Sequence, residues 1–380
     1  MPPPLPAAHP ARSGGPLDWS ALRRVLAVRL DNLGDVVLAT PALRALRRAL
    51  PDGARLDLLA SPAGASLAPL LRAPEAGAVD DVHVLRAVWQ DASGAMPQDP
   101  AREAALVERL RAAEYDAVVV LTSFSQSPWP PAHVAYLAGV PVRVGQSREF
   151  GGSLLSHWVT PPDDAVHQVD RALHLLDAVG VPSAGPDLAL GVPEAARENA
   201  TAALRGAGLA PGLPYALLAP GASCPSRRYP PERFAAVAAA LARDGLPVAV
   251  VGSEKEAPLV AAVVEGAGRA GIVGLAGAVD VPGLAALVDG ATVAVTNNSG
   301  GMHLADAVRT PLVALFAGTE LEQQYAPRGT RATLLRVPTA CSPCRAFDCP
   351  YTLECLDIPP RSVVDAALSL AAAPTAGVAA

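Results

Sequence analysis

The chain has 380 residues, of which 51% are hydrophobic, and its 30 basic and 36 acidic residues give a formal net charge of −6. That length predicts two or three domains with large apolar cores, and the mild acidity without a basic stripe argues against a nucleic-acid-binding protein. No stretch resembles a signal peptide or is long and apolar enough to span a membrane, so we expect a cytoplasmic protein.

Pro, Ala and Gly dominate residues 1–20, which we predict to be a disordered extension. Beyond them, short β-branched runs alternate with segments whose apolar residues recur at helical spacing. The predicted strands are 25–30, 55–60, 116–122 and 141–145, and the predicted helices are 36–49, 101–113 and 166–179. We expect an exposed loop at 86–100. Strands that alternate with helices are typical of βαβ units in a parallel sheet.

A Pro- and Gly-rich passage at 180–193 interrupts the alternation, which then resumes. The second set of predicted strands is 215–219, 247–252, 292–296 and 312–316, and the second set of helices is 231–243, 256–267, 282–289 and 301–308. The pattern predicts an α/β fold with two Rossmann-like, doubly wound domains at 21–190 and 191–380.

Asp35 lies in the loop between the first predicted strand and the first predicted helix. Open α/β sheets bind their ligands at the carboxyl ends of strands, which makes Asp35 a candidate catalytic carboxylate. Its other interpretation is structural, since an Asp at this place also caps a helix while Gly34 supplies the turn. The residues alone leave both interpretations open.

A glycine-containing loop at 220–234 follows the first strand of the second half and carries Ser223, Arg227 and Arg228. Guanidinium groups make paired, charge-assisted bonds to phosphate oxygens, and N–H groups of the loop and of the next helix would add to an anion site. The alternative is a solvated arginine pair on a surface loop.

Two further polar clusters follow strands of the second half. In residues 296–307, Ser299 is a candidate helix N-cap, and Gly300 and Gly301 let a diphosphate approach the free N–H groups of the first turn. His303 falls in that turn, where a lone His is more often structural than catalytic. In residues 250–256, Glu254 is a candidate acceptor for sugar hydroxyls, although acidic residues at a helix start usually serve the helix dipole.

Four motifs, in this order, resemble those of glycosyltransferase family 9, the bacterial ADP-heptose:lipopolysaccharide heptosyltransferases. They are RLDNLGDVVLATPAL at 29–43, PGAS at 220–223 with RRYPPERF at 227–234, NNSGGMH at 297–303, and TPLVALF at 310–316. A looser similarity covers residues 167–177. The resemblance implies a GT-B architecture, in which two Rossmann-like domains face a cleft, the first binding mainly the acceptor and the second the nucleotide-sugar.

The resemblance also implies roles for individual residues. The catalytic base falls on Asp35, the phosphate-binding lysine position on Arg227, and the sugar-nucleotide carboxylate on Glu254. The nucleotide-contacting segment comprises Asn298, Ser299, Gly300, Gly301, Met302 and His303. The family is inverting and metal-independent, so we expect no cofactor. Asn298 replaces the usual Asp, which removes a charge and adds a donor, and Arg227 replaces Lys, which changes the geometry of the cation.

The implied reaction moves heptose or a related sugar from a nucleotide donor to a lipopolysaccharide-type or other envelope glycan. ADP-heptose is the donor that the resemblance favours. Arg44, Arg47 and Arg48 recur at helical spacing along the first helix, beyond Asn32, and are candidates for an anionic glycolipid acceptor. This would bring the protein into peripheral contact with the inner membrane. A solvated basic helix face is the alternative.

Four cysteines, Cys341, Cys344, Cys349 and Cys355, cluster in the segment 341–355, with two, four and five residues between them. The clustering suggests zinc or an iron–sulfur cluster, but it lacks the paired C-x2-C…C-x2-C form of zinc sites, and we favour no metal. Reduced thiols or a disulfide are the alternatives, and a cytoplasmic setting disfavours the disulfide. Two other functions stay open: a non-catalytic nucleotide-sugar-binding protein, and a metal or redox module built on these cysteines.

Overall fold

The structure, a computed structural model, describes residues 15–91, 93–124 and 126–372. Contacts divide the chain into two compact units. The first comprises the described part of Met1–Asp31, with Pro41–Pro62 and Ala78–Pro186, and the second comprises Asn32–Thr40, Ala63–Gly77 and the described part of Asp187–Ala380. Asn32–Thr40 and Ala63–Gly77 thus belong to the second unit, although both lie in the range predicted for the first domain. None of the helices that the structure describes is long and apolar enough to cross a membrane.

Each unit contains one sheet of six parallel strands. The strands of the first sheet are β1 (Arg24–Arg29), β2 (Arg55–Ala60), β3 (Asp81–Val84), β4 (Ala117–Val120), β5 (Val142–Gln146) and β6 (His157–Val159). Those of the second are β7 (Ala216–Ala219), β8 (Val248–Gly252), β9 (Ile272–Ala276), β10 (Val293–Asn297), β11 (Leu312–Leu315) and β12 (Ala332–Leu335).

The helices that the structure describes connect these strands. They are α1 (Leu33–Ala49), α2 (Pro62–Ala65), α3 (Ala68–Arg72), α4 (Pro100–Ala112), α5 (Trp129–Leu137), α6 (Gln168–Asp177), α7 (Glu194–Gly206), α8 (Pro231–Arg243), α9 (Ala257–Ala267), α10 (Val281–Asp289), α11 (Gly300–Ala307), α12 (Glu322–Tyr325) and α13 (Pro360–Ala372). Short 3-10 turns occur at Trp19–Ala21, Val88–Gln90, Pro225–Arg227, Glu254–Glu256 and Glu354–Leu356.

The strand orders are β3-β2-β1-β4-β5-β6 and β12-β11-β10-β7-β8-β9, so both sheets have the doubly wound Rossmann order. The order reverses direction between β1 and β4 in the first sheet and between β7 and β10 in the second. Ligands of doubly wound sheets bind at the carboxyl ends of the strands beside such a reversal. The predicted α/β fold class with two doubly wound sheets is confirmed.

The central strands are buried almost completely, as parallel strands covered by helices require. All residues of β4 and β10 are buried. In the second unit, Tyr229 and Phe234 are completely buried and pack edge to face at 5.3 Å between ring centres, in a core shared by strands, α8 and α13. This core fixes the end of the 220–234 loop.

The four strands that the sequence did not predict, β3, β6, β9 and β12, are the edges of the two sheets. Edge strands are only partly covered: every residue of β12 is half-buried, and β3 has no fully buried residue. A half-exposed strand needs no continuous apolar run, which was the pattern used to predict the central strands. The helices α2, α3, α5, α7, α12 and α13 were also missed, whereas the loop predicted at 86–100 is irregular over most of its described residues.

The disordered extension predicted at 1–20 is wrong for residues 15–20, and residues 1–14 lie outside the described part of the chain. Trp19 is 4% exposed, and its indole N–H donates to the carbonyl of Val179 at 2.9 Å. The backbone N–H of Leu17 donates to the same carbonyl. Burial of an indole outweighs the Pro-, Ala- and Gly-rich composition on which the prediction rested.

Candidate active site

Asn297, the last residue of β10, organises the loop that follows β7. Its side chain is fully buried, and its Nδ2 donates to the carbonyls of Pro220 at 2.8 Å and Gly221 at 3.3 Å. Its Oδ1 accepts the N–H of Tyr229 at 3.0 Å. One amide therefore fixes both ends of the loop that carries Arg227. Sequence reasoning gave Asn297 no role of its own, although it lies in a quoted motif.

Arg227 ends the turn Pro225–Arg227 and points toward the loop after β11. Its Nε donates to Oγ1 of Thr319 at 3.0 Å, and its Nη2 donates to Oε1 of Glu320 at 2.5 Å. The two charged side chains are 22% and 14% exposed. Burial raises the pKa of Glu320, the positive charge of Arg227 opposes that rise, and the negative charge of Asp35 adds to it. Sequence reasoning missed Glu320, which belongs to no recognised motif.

Asp35 lies in the first turn of α1, not in a loop before it, because the helix begins at Leu33, three residues earlier than predicted. Its Oδ2 accepts the backbone N–H of Asn32 at 3.2 Å, so the carboxylate does cap the helix start. The same carboxylate lies within electrostatic range of Glu320. The structural and catalytic interpretations are therefore compatible.

The turn that carries Asp35 packs against the start of α11. A Cβ added to Gly34 would lie 2.6 Å from Cδ2 of His303, and a Cβ added to Gly300 would lie 3.1 Å from Cδ2 of Leu33. A side chain at residue 34 would therefore clash with His303, whereas one at residue 300 would only press on the end of the Leu33 side chain. Asp35 and the first turn of α11 are parts of one packed arrangement within the second unit.

The remaining residues of the 298–303 segment differ in their accessibility. Asn298 is 3% exposed; its Oδ1 accepts the N–H of Ala317 at 3.1 Å, and its Nδ2 has no hydrogen-bond partner among the described residues. Ser299 occupies the predicted N-cap position, but its hydroxyl makes no capping bond. Met302 is completely buried, so its side chain belongs to the core. His303 is 6% exposed and lies beside the ring of Tyr325.

Arg228 and Ser223 lie on the same loop as Arg227 but do not join its ion pair. Nε and Nη2 of Arg228 donate to the carbonyl of Ala222, at 3.3 and 3.0 Å. Ser223 is exposed. Of the two arginines, only Arg227 is held by side chains from another loop.

Glu254 is exposed and makes no side-chain hydrogen bond within the described chain. The helix start there is capped by Glu256, whose Oε2 accepts the N–H and the hydroxyl of Ser253, both at 2.8 Å. The carboxylate of Glu256 also lies against Gly221, where an added Cβ would be 2.0 Å from Oε1. The side chain of Glu254 is therefore exposed to solvent, and its role as a sugar ligand stays a prediction.

Among the predicted acceptor residues, Arg47 is engaged within the first unit, where it donates to the carbonyl of Ala54 at 2.8 Å and pairs with Asp80. Arg48 and Asn32 are exposed, and Arg44 is half-buried. An arginine already neutralised by a carboxylate is a poorer anion ligand, so the exposed Arg48 is a stronger candidate than Arg47. Their role stays a prediction.

All five cysteines are free, including Cys224 outside the cluster. Cys341 and Cys344 are exposed, whereas Cys349 and Cys355 are half-buried. Burial raises the pKa of the Cys355 thiol, and the other three thiols lie near enough to contribute to that rise. Across residues 15–91, 93–124 and 126–372, no three His, Cys, Asp or Glu side chains are grouped so as to hold a metal ion.

The segment 341–355 nevertheless contacts the site through its backbone. On one side, the N–H and hydroxyl of Ser226 donate to the carbonyls of Phe347 at 3.2 Å and Ala346 at 2.5 Å. This holds the turn that ends at Arg227.

On the other side, the N–H groups of Cys344 and Arg345 donate to the carbonyls of Gly318 and Thr319, both at 3.0 Å. This holds the loop that ends at Glu320. A single segment therefore fixes both partners of the Arg227–Glu320 ion pair.

The second of the two doubly wound parallel sheets has an arginine and a glycine-initiated helix at its reversal point, where α/β proteins of this class bind their ligands. A family model described as "Glycosyltransferase family 9 (heptosyltransferase)" matches residues 103–353, more than half of the chain. The chain therefore belongs to glycosyltransferase family 9 and is a glycosyltransferase, as the motifs predicted. The matched range contains Arg227 and Glu320 but not Asp35.

Individual relatives are similar to this chain over different lengths. Lipopolysaccharide heptosyltransferase 2 of Salmonella typhimurium is 27% identical over 362 residues, which cover 91% of this chain and 98% of the relative. Lipooligosaccharide heptosyltransferase 2 of Haemophilus influenzae is 34% identical over 122 residues, 31% of this chain and 35% of that relative. The structure of E. coli ADP-heptose lps heptosyltransferase II aligns with a TM-score of 0.73 at 23% identity, covering 92% of this chain and 98% of that one.

Proposed function

We propose that this protein is an inverting, metal-independent heptosyltransferase that transfers heptose from ADP-heptose to a lipopolysaccharide-type acceptor. The relatives named above support both substrates, since they are heptosyltransferases of lipopolysaccharide or lipooligosaccharide and one is described by its ADP-heptose donor. A nucleotide-sugar-binding protein without catalysis is disfavoured by the family membership.

One observation carries the proposal: the carboxylate of Asp35 lies within electrostatic range of Glu320, which is paired with Arg227. Close packing of Gly34 on His303 fixes the same turn against α11. A general base and a cation are therefore held in one arrangement, together with the N–H groups at the start of an eight-residue helix. Those are the groups that transfer from a nucleoside diphosphate sugar requires.

In the proposed reaction, Asp35 takes the proton of an acceptor hydroxyl as the oxygen of that hydroxyl attacks the anomeric carbon. The bond between this carbon and the phosphate oxygen breaks on the opposite face, so the configuration inverts. The diphosphate leaves with increased negative charge, which Arg227 and the first N–H groups of α11 stabilise. The proton ends on Asp35, and no covalent sugar–protein intermediate forms.

The acceptor is assigned to the side of α1 that follows Asp35. The exposed Arg48 supplies positive charge there, and the lipid anchor of such an acceptor would bring the protein into peripheral contact with a membrane surface. Asn298 is assigned to the donor, because its buried Nδ2 has no partner among the described residues and would find one in a sugar or phosphate oxygen.

The test is Asp35→Ala, assayed with ADP-heptose and a lipopolysaccharide-type acceptor. Loss of the general base should lower turnover by roughly 10²–10⁴-fold. Affinity for ADP should stay unchanged, because the base contacts the acceptor. Asp52→Ala, an exposed carboxylate just beyond α1, is the matched control and should behave as the unmodified protein. Near-normal turnover in Asp35→Ala would reduce Asp35 to a helix cap and end the proposed mechanism.

The same assay includes Arg227→Ala, with the exposed Arg243→Ala as its control. Loss of a charge-assisted bond of about 1.5–3 kcal/mol weakens binding of ADP by roughly 10–150-fold. Titration of the unmodified protein with ADP-, UDP- and GDP-sugars identifies the donor. Unchanged ADP affinity in Arg227→Ala would shift the diphosphate site to another cation.

A further inference from the structure

Glu320 occupies an unusual place for a carboxylate. It lies beside Arg227, the cation that is proposed to bind the diphosphate. Its side chain is 14% exposed and its Oε1 accepts from Nη2 of Arg227 at 2.5 Å. A polyanion site normally gathers positive charge, and a carboxylate in it opposes ligand binding. Burial also works against the ionised form of this carboxyl group. A buried pair of this kind is weak evidence for a stabilising role.

The hydrogen bonds of Arg227 show what the carboxylate does. A guanidinium has five N–H donors in a rigid plane. Thr319 accepts from Nε and Glu320 from Nη2, so two acceptors on one loop hold a single edge of that plane. Nη1 makes no hydrogen bond with any described residue of the chain. The guanidinium is thus fixed along one edge, with its opposite end left for a ligand.

A second carboxylate two residues further on serves as a comparison. Glu322, at the start of α12, pairs with Nη1 of Arg336 at 3.2 Å, and both side chains are about one-third exposed. That pair is an ordinary surface ion pair, worth little to stability. Glu320 differs because it is more buried, holds the arginine of the site, and lies within electrostatic range of Asp35.

We infer that Glu320 is a positioning residue that aims Arg227 at the diphosphate, and that its negative charge at the same time weakens the hold on the nucleoside diphosphate product. The inference rests on the proposed function. Positioning speeds transfer, because the cation is in place before charge develops on the leaving group. Repulsion between carboxylate and diphosphate then favours release of the product, a step that limits turnover in many enzymes.

The test separates the two effects with two substitutions. Glu320→Gln keeps an acceptor oxygen for Arg227 but removes the charge, so ADP should bind about 10-fold tighter. Its single-turnover rate should stay within about 3-fold of the unmodified protein, while steady-state turnover falls as ADP leaves more slowly. Glu320→Ala removes the acceptor as well, and its single-turnover rate should fall at least about 10-fold. Glu322→Gln is the matched control and should change neither quantity.

ADP affinity is measured by titration calorimetry, and transfer by rapid mixing with excess protein. A Glu320→Gln variant that binds ADP no tighter than the unmodified protein would overturn the role of the charge. A Glu320→Ala variant with an unchanged single-turnover rate would overturn the positioning role. If Glu320 had only a structural role, both variants would bind ADP more weakly than the unmodified protein. The inference expects the opposite for Glu320→Gln, which should bind ADP more tightly.

These outcomes are distinct from failure of the proposed function. If the unmodified protein binds none of ADP, UDP and GDP, the diphosphate site itself is refuted, and the inference with it. If it binds ADP and transfers heptose while both Glu320 variants match it, the function stands and only the inference fails. If it binds ADP without transfer, the proposed reaction fails, and the affinity of Glu320→Gln still decides the effect of the charge.

Discussion

Gly34→Ala tests whether packing against α11 places Asp35, the proposed catalytic carboxylate. The added Cβ would lie 2.6 Å from Cδ2 of His303, about 0.8 Å inside ordinary contact at 3.4 Å. His303 is 6% exposed and has the ring of Tyr325 beside it, so it has little room to retreat. The turn that carries Asp35 must therefore move away from the helix by a large part of that distance.

The expected effect on stability is small because two terms oppose each other. Gly34 is helical, and Ala gains roughly 0.8–1 kcal/mol over Gly in a helix. Overpacking costs about 1–3 kcal/mol. The net loss is about 0–2 kcal/mol. A misplacement approaching 1 Å, however, can lower a catalytic rate by roughly 10²-fold. The rate should therefore fall far more than the unfolding free energy.

Transfer of heptose is measured by ADP release, and stability by urea unfolding. Gly206→Ala is the matched control, because Gly206 is also helical and an added Cβ there meets nothing within 4 Å. It should leave the rate unchanged and raise stability slightly. In a His303→Ala background, Gly34→Ala should cost little further rate, since the clashing ring is gone. A Gly34→Ala protein with normal turnover would refute the idea that this contact positions Asp35.

Two further predictions concern a loop anchor and metal dependence. Asp306→Ala should lower the free energy of unfolding by about 2–4 kcal/mol, because its buried carboxylate accepts the N–H groups of Arg328, Gly329 and Thr330 at 2.7–3.2 Å. Urea unfolding measures this loss, and an effect as small as that of the surface variant Asp365→Ala would contradict it. Turnover should survive exhaustive chelation, since the proposed mechanism uses Arg227 and helix N–H groups, and no metal ion, to neutralise the leaving group. Activity that vanished with thermal stability intact, and returned only with magnesium or manganese, would disprove metal independence.

The sequence alone was sufficient to predict the central strands, because each is a buried apolar run of the kind seen in β4 and β10. It was not sufficient for the edge strands, whose half-exposed residues resemble those of loops. The start of α1 was misplaced for a related reason. Gly34 is a poor helix signal, and contact with α11 overrides the low propensity of glycine.

For the candidate site, the sequence singled out Asp35 and Arg227 because each lies in a motif next to a predicted strand, and their catalytic roles stay predictions. Asn297 and Glu320 were assigned no role, because their contacts depend on which loops meet. Nothing in the local sequence around Glu320 shows that it pairs with an arginine 93 positions away. Pairings of this range are set by the strand order of the sheet, which periodicity does not reveal.

The backbone bonds of the cysteine-bearing segment constrain how this region can change in evolution or by design. Its four successive residues 344–347 hold the site through N–H groups and carbonyls alone. Substitutions there keep these bonds, apart from proline at the donor positions 344 and 345 and β-branched residues at Arg345, whose φ is +53°. Inserting or deleting one residue, by contrast, would shift every partner and release the Arg227 turn and the Glu320 loop together. The region should therefore tolerate substitution but keep its length.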